Sequence, residues 1–295
     1  MKFDKKIFFY FILIPAFQAI TGCDIINPEE PIPAQIHIEE TKLVLEPGQG
    51  SSRHKLTEVW VYADGSYIGA FATPTTIPYI TDSVTTTFTL RAGIRNNGIL
   101  DDAIYYPMLL PLVYELPTTP GSESTVAANF SYKPEAVFSL ISDFELGNDF
   151  TVDRDTSLET MLVRTSTDPF EGNYSGEIVL TKEKNLIEVT HSFTMIDLPT
   201  GSNPKKETYL EFRYKADMEF SVGLLGIPLN GEEYAEFFYI VKRSDEWNMI
   251  YLDLTSLLEA SGLSAYKILF RSFYPPEATA AELKIQLDNI KVVHL

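Results

Sequence analysis

Cysteine is almost missing from this 295-residue chain, with Cys23 standing alone. A disulfide needs a pair and a thiolate metal site usually needs several, so both are excluded. Histidine is scarce as well. His37, His54, His191 and His294 show no H-x-H or H-x-x-x-H spacing, so no imidazole cluster for a transition metal is expected. The nucleophile elbow G-x-S-x-G and the phosphate loops G-x-x-x-x-G-K and G-x-G-x-x-G are missing too. Positive charge is in short supply, 23 Lys and Arg against 41 Asp and Glu, for a net charge of -18. A polyanion would be repelled, which argues against a nucleic-acid partner and against broad contact with anionic headgroups.

A membrane-spanning run is also lacking. The apolar stretch from Ile7 to Phe17 reaches roughly 16 Å as a helix, against a hydrocarbon core of roughly 30 Å, and Pro15 interrupts it. Lys2, Lys5 and Lys6 precede it and small residues follow, the order of a removable secretory signal over residues 1–22. Ile20-Thr21-Gly22-Cys23 resembles the lipobox of bacterial lipoproteins at each position. That resemblance implies cleavage before Cys23, diacylation of its thiol, and a membrane anchor. At about 0.8 kcal/mol per buried CH₂, two chains hold firmly.

Residues 23–35 read as a solvated tether, with Pro28, Pro31 and Pro33 among Asp24, Glu29 and Glu30. Acids soon after the lipidated Cys resemble surface-exported lipoproteins of Bacteroidota-type bacteria. The implied address is the outer membrane, with the cell surface favoured over a periplasm-facing position.

Two all-β bodies are expected after the tether. From residue 36 to 134, short alternating runs are punctuated by turns. Val59-Trp60-Val61-Tyr62 and Tyr67 to Phe71 flank Asp64-Gly65, and Thr85 to Ile94 and Ile99 to Tyr106 flank Asn96-Asn97-Gly98. Both turns suit hairpins, because Gly accepts the positive φ of a primed turn. The Val59 to Gly69 core looks like the small prealbumin-like or Ig-like sandwich domains of bacterial surfaces.

From 138 to 295, eight or nine further alternating runs predict a two-sheet sandwich, with helix confined to about Ser256 to Ala260. Phe144-Glu145, Phe170 to Gly176, Trp247 ahead of Ile250 to Leu254, and Leu287-Asp288-Asn289-Ile290 resemble marks of jelly-roll carbohydrate-binding modules. That resemblance puts Trp247 in the core. It also implies a structural Ca²⁺ site at Glu145 and Asp288, carboxylates suited to a hard cation. The plain alternative is a solvated Glu145 and an Asp288 that caps a turn. Asp153 to Ser157 starts like a calcium loop, but Leu158 replaces its Gly and Arg164 its bidentate acid.

Alternation also nominates a binding face. Leu210, Phe212 and Tyr214 point one way and Tyr209, Glu211 and Arg213 the other, while Tyr251 and Arg271 sit similarly on their runs. Ring faces stack on the apolar face of a pyranose and planar polar groups read its hydroxyls. Tyr209, Glu211, Arg213, Tyr251 and Arg271 are therefore the candidate glycan groove, provided one open sheet carries them. Outward aromatics that merely pair across strands are the alternative. Adjacent acids such as Asp101-Asp102 and Glu232-Glu233 point to opposite faces, so they are not the facing pair that glycoside hydrolysis needs. The expected function is a non-catalytic, lipid-anchored glycan binder. A structural subunit of an envelope complex is the alternative, and a carboxylate-dependent hydrolase a weaker one.

Overall fold

The computed structural model describes residues 30–155, 159–200, 206–228, 231–261, 263 and 265–295. Cys23, the signal segment and most of the tether lie outside them. The chain is all-β, as its period-two patterning predicts.

The N-terminal half contributes β1 (Ala34–Ile38), β2 (Lys42–Val44), β3 (Glu58–Ala63), β4 (Ser66–Phe71), β5 (Thr75–Tyr79), β6 (Thr85–Arg95), β7 (Ala103–Tyr105), β8 (Leu112–Pro117), β9 (Glu123–Val126) and β10 (Asn129–Ser131). One sheet runs β4-β3-β6-β7 with β8 also paired to β6, and smaller ones run β5-β1-β9 and β10-β2. Their inner faces close on Ile36, Ile38, Val59, Val61, Phe88, Leu90 and Phe130. The first hairpin turns on Asp64 (φ 46) and Gly65 (φ 81), as its sequence demands. At the second turn, Asn97 (φ 54) and Gly98 (φ 71) are left-handed, but the return strand shortens to β7. The turn is used elsewhere: Asn97 N–H donates to the Tyr251 carbonyl at 2.9 Å, and its Oδ1 accepts from Asp253 N–H at 2.8 Å.

The C-terminal half contributes β11 (Val137–Ser142), β12 (Val152–Asp153), β13 (Val163–Thr165), β14 (Ser175–Leu180), β15 (Leu186–Thr190), β16 (Thr208–Ala216), β17 (Phe220–Gly226), β18 (Tyr234–Val241), β19 (Ser244–Asp253), β20 (Tyr266–Phe273) and β21 (Leu283–His294), with α1 at Thr255–Ser261. They form two sheets, β13-β14-β21-β16-β19 with β11 beside β21, and β12-β15-β20-β17-β18. Between them lie Leu210, Phe212, Tyr214, Ile250, Leu252, Phe220, Val222, Ile268 and Phe270, so alternation sorted these strands correctly. Trp247 is the exception. It is half-buried at the start of β19, where its ring meets Phe170 and its indole N–H donates to the Asp168 carbonyl at 3.1 Å. It lies beyond the end of the packed layer, past the register break between Tyr214 and Ala216.

The two halves also share a core. Tyr209, Met249, Tyr251 and Val293, from the outer face of the six-stranded sheet, pack with Tyr106, Met108, Leu109 and Tyr132 of the N-terminal half. Among the described residues no helix is long and apolar enough to cross a membrane.

Candidate functional site

A jelly roll has two outer faces, and here they meet opposite fates. On the six-stranded sheet, β16 turns Tyr209, Glu211 and Arg213 outward, and β19 presents Tyr251 beside them. These residues form no open groove, since their exposures are 2%, 1%, 8% and 3%. The N-terminal half lies over them. Tyr106 meets Tyr209 edge-on at 5.1 Å and packs on Tyr251 at 5.1 Å. Glu211 Oε1 accepts from the Tyr106 and Tyr132 hydroxyls at 2.5 and 2.9 Å, while Lys291 Nζ stands 3.6 Å from Oε2. Burial, with the Glu211 charge adding to it, holds both phenols well above their ordinary pKa. Arg213 lies over the Phe170 ring at 4.3 Å, and among the described residues its Nε has no hydrogen-bond partner. Tyr209, Glu211 and Tyr251 thus hold the two halves together, while Arg213 is buried beside them against Phe170 of its own half. Sequence alternation cannot distinguish a face turned to water from one turned to a second domain.

Arg271 belongs to the other sheet. On β20, Tyr266, Ile268 and Phe270 enter the core, which leaves Leu269, Arg271 and Phe273 on the far side. In register beside Arg271 are Glu188 of β15 and Ser221 of β17, with Ile240 of β18 next to Ser221. Arg271 Nε donates to Glu188 Oε2 at 2.7 Å, and a second guanidinium nitrogen contacts the same oxygen. Arg154, just past β12, donates to Glu188 Oε1 at 3.2 Å and pairs with Glu233. The Arg271 guanidinium also lies 3.9 Å from the Phe237 ring centroid. A cleft of about 640 Å³ opens beside this network, lined by Ser221, Ile240, Arg271 and Phe273, with Glu219, Arg243 and Glu277 adding charge. Ile240 and Phe273 are 66% and 56% exposed, so apolar surface there faces solvent.

Chemically, the cleft offers an exposed ring, an aliphatic wall, a hydroxyl and an oriented guanidinium. That set fits a neutral, hydroxyl-rich ligand. Glu188 is 8% exposed and gripped by two arginines. The sequence reading missed Glu188, Arg154, Ser221 and Phe237. One signal was available, because Glu188 sits between Ile187 and Val189 in the middle of an apolar strand, where a carboxylate needs a cationic partner.

Glu145 and Asp288 hydrogen-bond the same 171–174 loop from two sides. Glu145 Oε1 accepts from the N–H groups of Asn173 and Tyr174 at 2.8 and 2.9 Å, which holds its pKa below the usual value. Asp288 accepts from Asn289 N–H at 2.7 Å and Glu171 N–H at 3.3 Å. Burial outweighs those bonds and raises its pKa to about 7. Both carboxylates clamp the 170–174 backbone, a use that the Ca²⁺ expectation did not foresee. Among the described residues no group of three or more His, Cys, Asp or Glu is arranged to hold a metal.

No protein-family model matches the chain, and no curated protein matches it. Among solved structures it is similar to the enzymatically active domain of tailspike protein 4 of bacteriophage CBA120, at 14% identity and TM-score 0.41. That match covers 59% of this chain and 25% of the other, so this chain accounts for only about a quarter of the tailspike's length. A xylan-binding domain from Paenibacillus barcinonensis Xyn10C is similar at 12% identity and TM-score 0.37, covering 53% of this chain and 94% of that one. A family 30 carbohydrate-binding module of a Clostridium thermocellum cellulosomal cellulase is similar at 15% identity and TM-score 0.34, covering 53% and 96%. Likenesses this distant concern a β-sandwich over about half of the chain and do not say what it binds.

Proposed function

We propose that this chain is a non-catalytic, lipid-anchored envelope protein that binds glycan through the open outer face of its C-terminal jelly roll. One observation carries the reading. The outer face of the five-stranded sheet bears a solvent-open cleft of about 640 Å³, with Phe273 and Ile240 exposed beside Arg271 and Ser221, whereas clefts of about 290 and 490 Å³ beside the six-stranded sheet are lined jointly with the N-terminal half. An exposed ring can stack on a pyranose, and a guanidinium already fixed by Glu188 loses little freedom when it donates to a hydroxyl. The gripped state of Glu188 favours binding over hydrolysis. The N-terminal half serves as a spacer that also seals the other face.

Affinity electrophoresis of the full chain through gels containing xylan, β-galactan or other neutral polysaccharides tests the binding. Retention is expected on at least one, weakened by Arg271→Ala and Phe273→Ala. Retention that both variants leave unchanged, or no retention on any gel, would overturn it. Anchoring at Cys23 has its own test. Fatty-acid labelling in cells should be abolished by Cys23→Ser, and intact cells should expose the protein to added protease if it faces outward. An unlabelled wild-type protein would remove the anchor without touching the binding face.

A further inference from the structure

We infer that the N-terminal half carries a second saccharide site, an aromatic platform on the outer face of its main sheet, independent of the cleft proposed above. On β3, Val59, Val61 and Ala63 enter the core, so Trp60 and Tyr62 point out. Tyr67 of β4 joins them, and Tyr105 of β7 lies on the far side of β6. Trp60 stands 5.4 Å from Tyr67 and 6.3 Å from Tyr105, and Tyr62 stands 5.4 Å from Tyr67. The row Tyr67, Trp60, Tyr105 thus crosses the strands.

Three features suit a sugar rather than an apolar partner. The rings meet at 40°, 79° and 55°, so they are not stacked flat on one another and ring surface is left for a ligand. Tyr67 and Tyr105 are 54% and 42% exposed. The apolar surface also comes with hydrogen-bonding tips. Among the described residues the Tyr62, Tyr67 and Tyr105 hydroxyls form no intramolecular hydrogen bond. Arg91 lies 4.9 Å from the Tyr105 ring centroid. Beside them a cavity of about 120 Å³, lined by Arg91, Tyr105, Lys133 and Glu207, supplies further polar groups at that end. Ring faces interleaved with unpaired donors match a glycan chain, whose pyranoses are apolar on their flat faces and polar at their rims. A buried aliphatic protein contact would leave those donors unsatisfied.

The two tryptophans of the chain, Trp60 and Trp247, allow a direct test. In the full-length Trp247→Phe protein, Trp60 is the sole indole reporter. Titration with xylohexaose, cellohexaose and β-1,4-galactotriose should shift or quench its emission saturably with at least one of them. Tyr67→Ala, with its folded state checked by thermal unfolding, should weaken that response about tenfold, the upper end of a stacking contribution. Arg271→Ala should leave it unchanged. If Trp247→Phe destabilises the fold, the difference in emission between wild type and Trp60→Phe gives the same reading. Emission that no oligosaccharide alters would overturn the platform, even where gel retention persists through Arg271. Binding of these sugars that Tyr67→Ala does not weaken would overturn it as well.

Discussion

The two outer faces of the jelly roll start from the same pattern, an apolar residue inward and a polar or aromatic one outward, and end in different chemistry. On the six-stranded sheet the outward residues include Tyr209, Tyr251 and Met249 with the Glu211–Lys291 pair and Arg213, and all are buried. On the five-stranded sheet the outward residues include an ionic chain, Glu233 to Arg154 to Glu188 to Arg271, in which each arginine is paired. Tyr209, Tyr251 and Met249 would be a liability in water, whereas Arg154 and Arg271 would be one in a sealed interface.

The largest effect expected from breaking this contrast lies on the sealed side. Glu211→Ala would strand Lys291, which is 3% exposed, without its counter-charge. Urea unfolding should show a loss of about 3 to 5 kcal/mol. Replacing both charges while keeping an acceptor for the Tyr106 and Tyr132 hydroxyls, as Glu211→Gln with Lys291→Met, should recover part of it. If the double variant were as unstable as the single one, the ion pair would not be what the interface depends on.

Two buried groups should give opposite pH signatures, one for each sheet. Asp288, on the sealed sheet, has its folded pKa raised to about 7 from 3.8, so its contribution is full in acid and is lost as pH rises toward 7. His191 follows β15 of the open sheet and accepts from Ile268 N–H at 3.0 Å, with its pKa lowered by burial to about 4 from 6.5. Its contribution is full above 6.5 and is lost as pH falls toward 4. The two oppose each other over the shared interval. Relative to wild type, Asp288→Asn should lose stability on acidification, and His191→Gln should gain it. Each change should amount to a few kcal/mol across the interval. Parallel pH profiles for the two variants would show that these groups do not set the pH response.

Smaller effects belong to the open side. Arg271→Ala should weaken polysaccharide retention about tenfold. Glu188 keeps Arg154 in that variant, so thermal unfolding should move little. Phe273→Ala, at a side chain 56% exposed, should change stability by less than about 0.5 kcal/mol while reducing retention several-fold. A thermal shift as large as that of Glu211→Ala would make the open face structural. Least of all, Glu145→Ala should leave global unfolding almost untouched. It should speed hydrogen exchange at the Asn173 and Tyr174 amides, which the carboxylate now holds.

Much of this was legible in the residues. The Asp64-Gly65 hairpin, the alternation through β16 and β19, and the short helix at Thr255–Ser261 follow from local rules, because turn dihedrals and strand pleat act over a few residues. Which side of β16 and β20 is apolar was likewise legible. The sequence alone thus determined an all-β chain whose strands have a definite inner face, and it nominated Arg271 at the cleft that stays open. Tertiary structure alone decided that Tyr209, Glu211, Arg213 and Tyr251 are sealed, that Arg271 lies on a different sheet from them, and that Glu188 is its partner. The physical reason is range. Pleat and turn are set by neighbours along the chain, whereas a face is wet or dry according to segments far away in sequence, such as Tyr106 over Glu211, 105 positions apart.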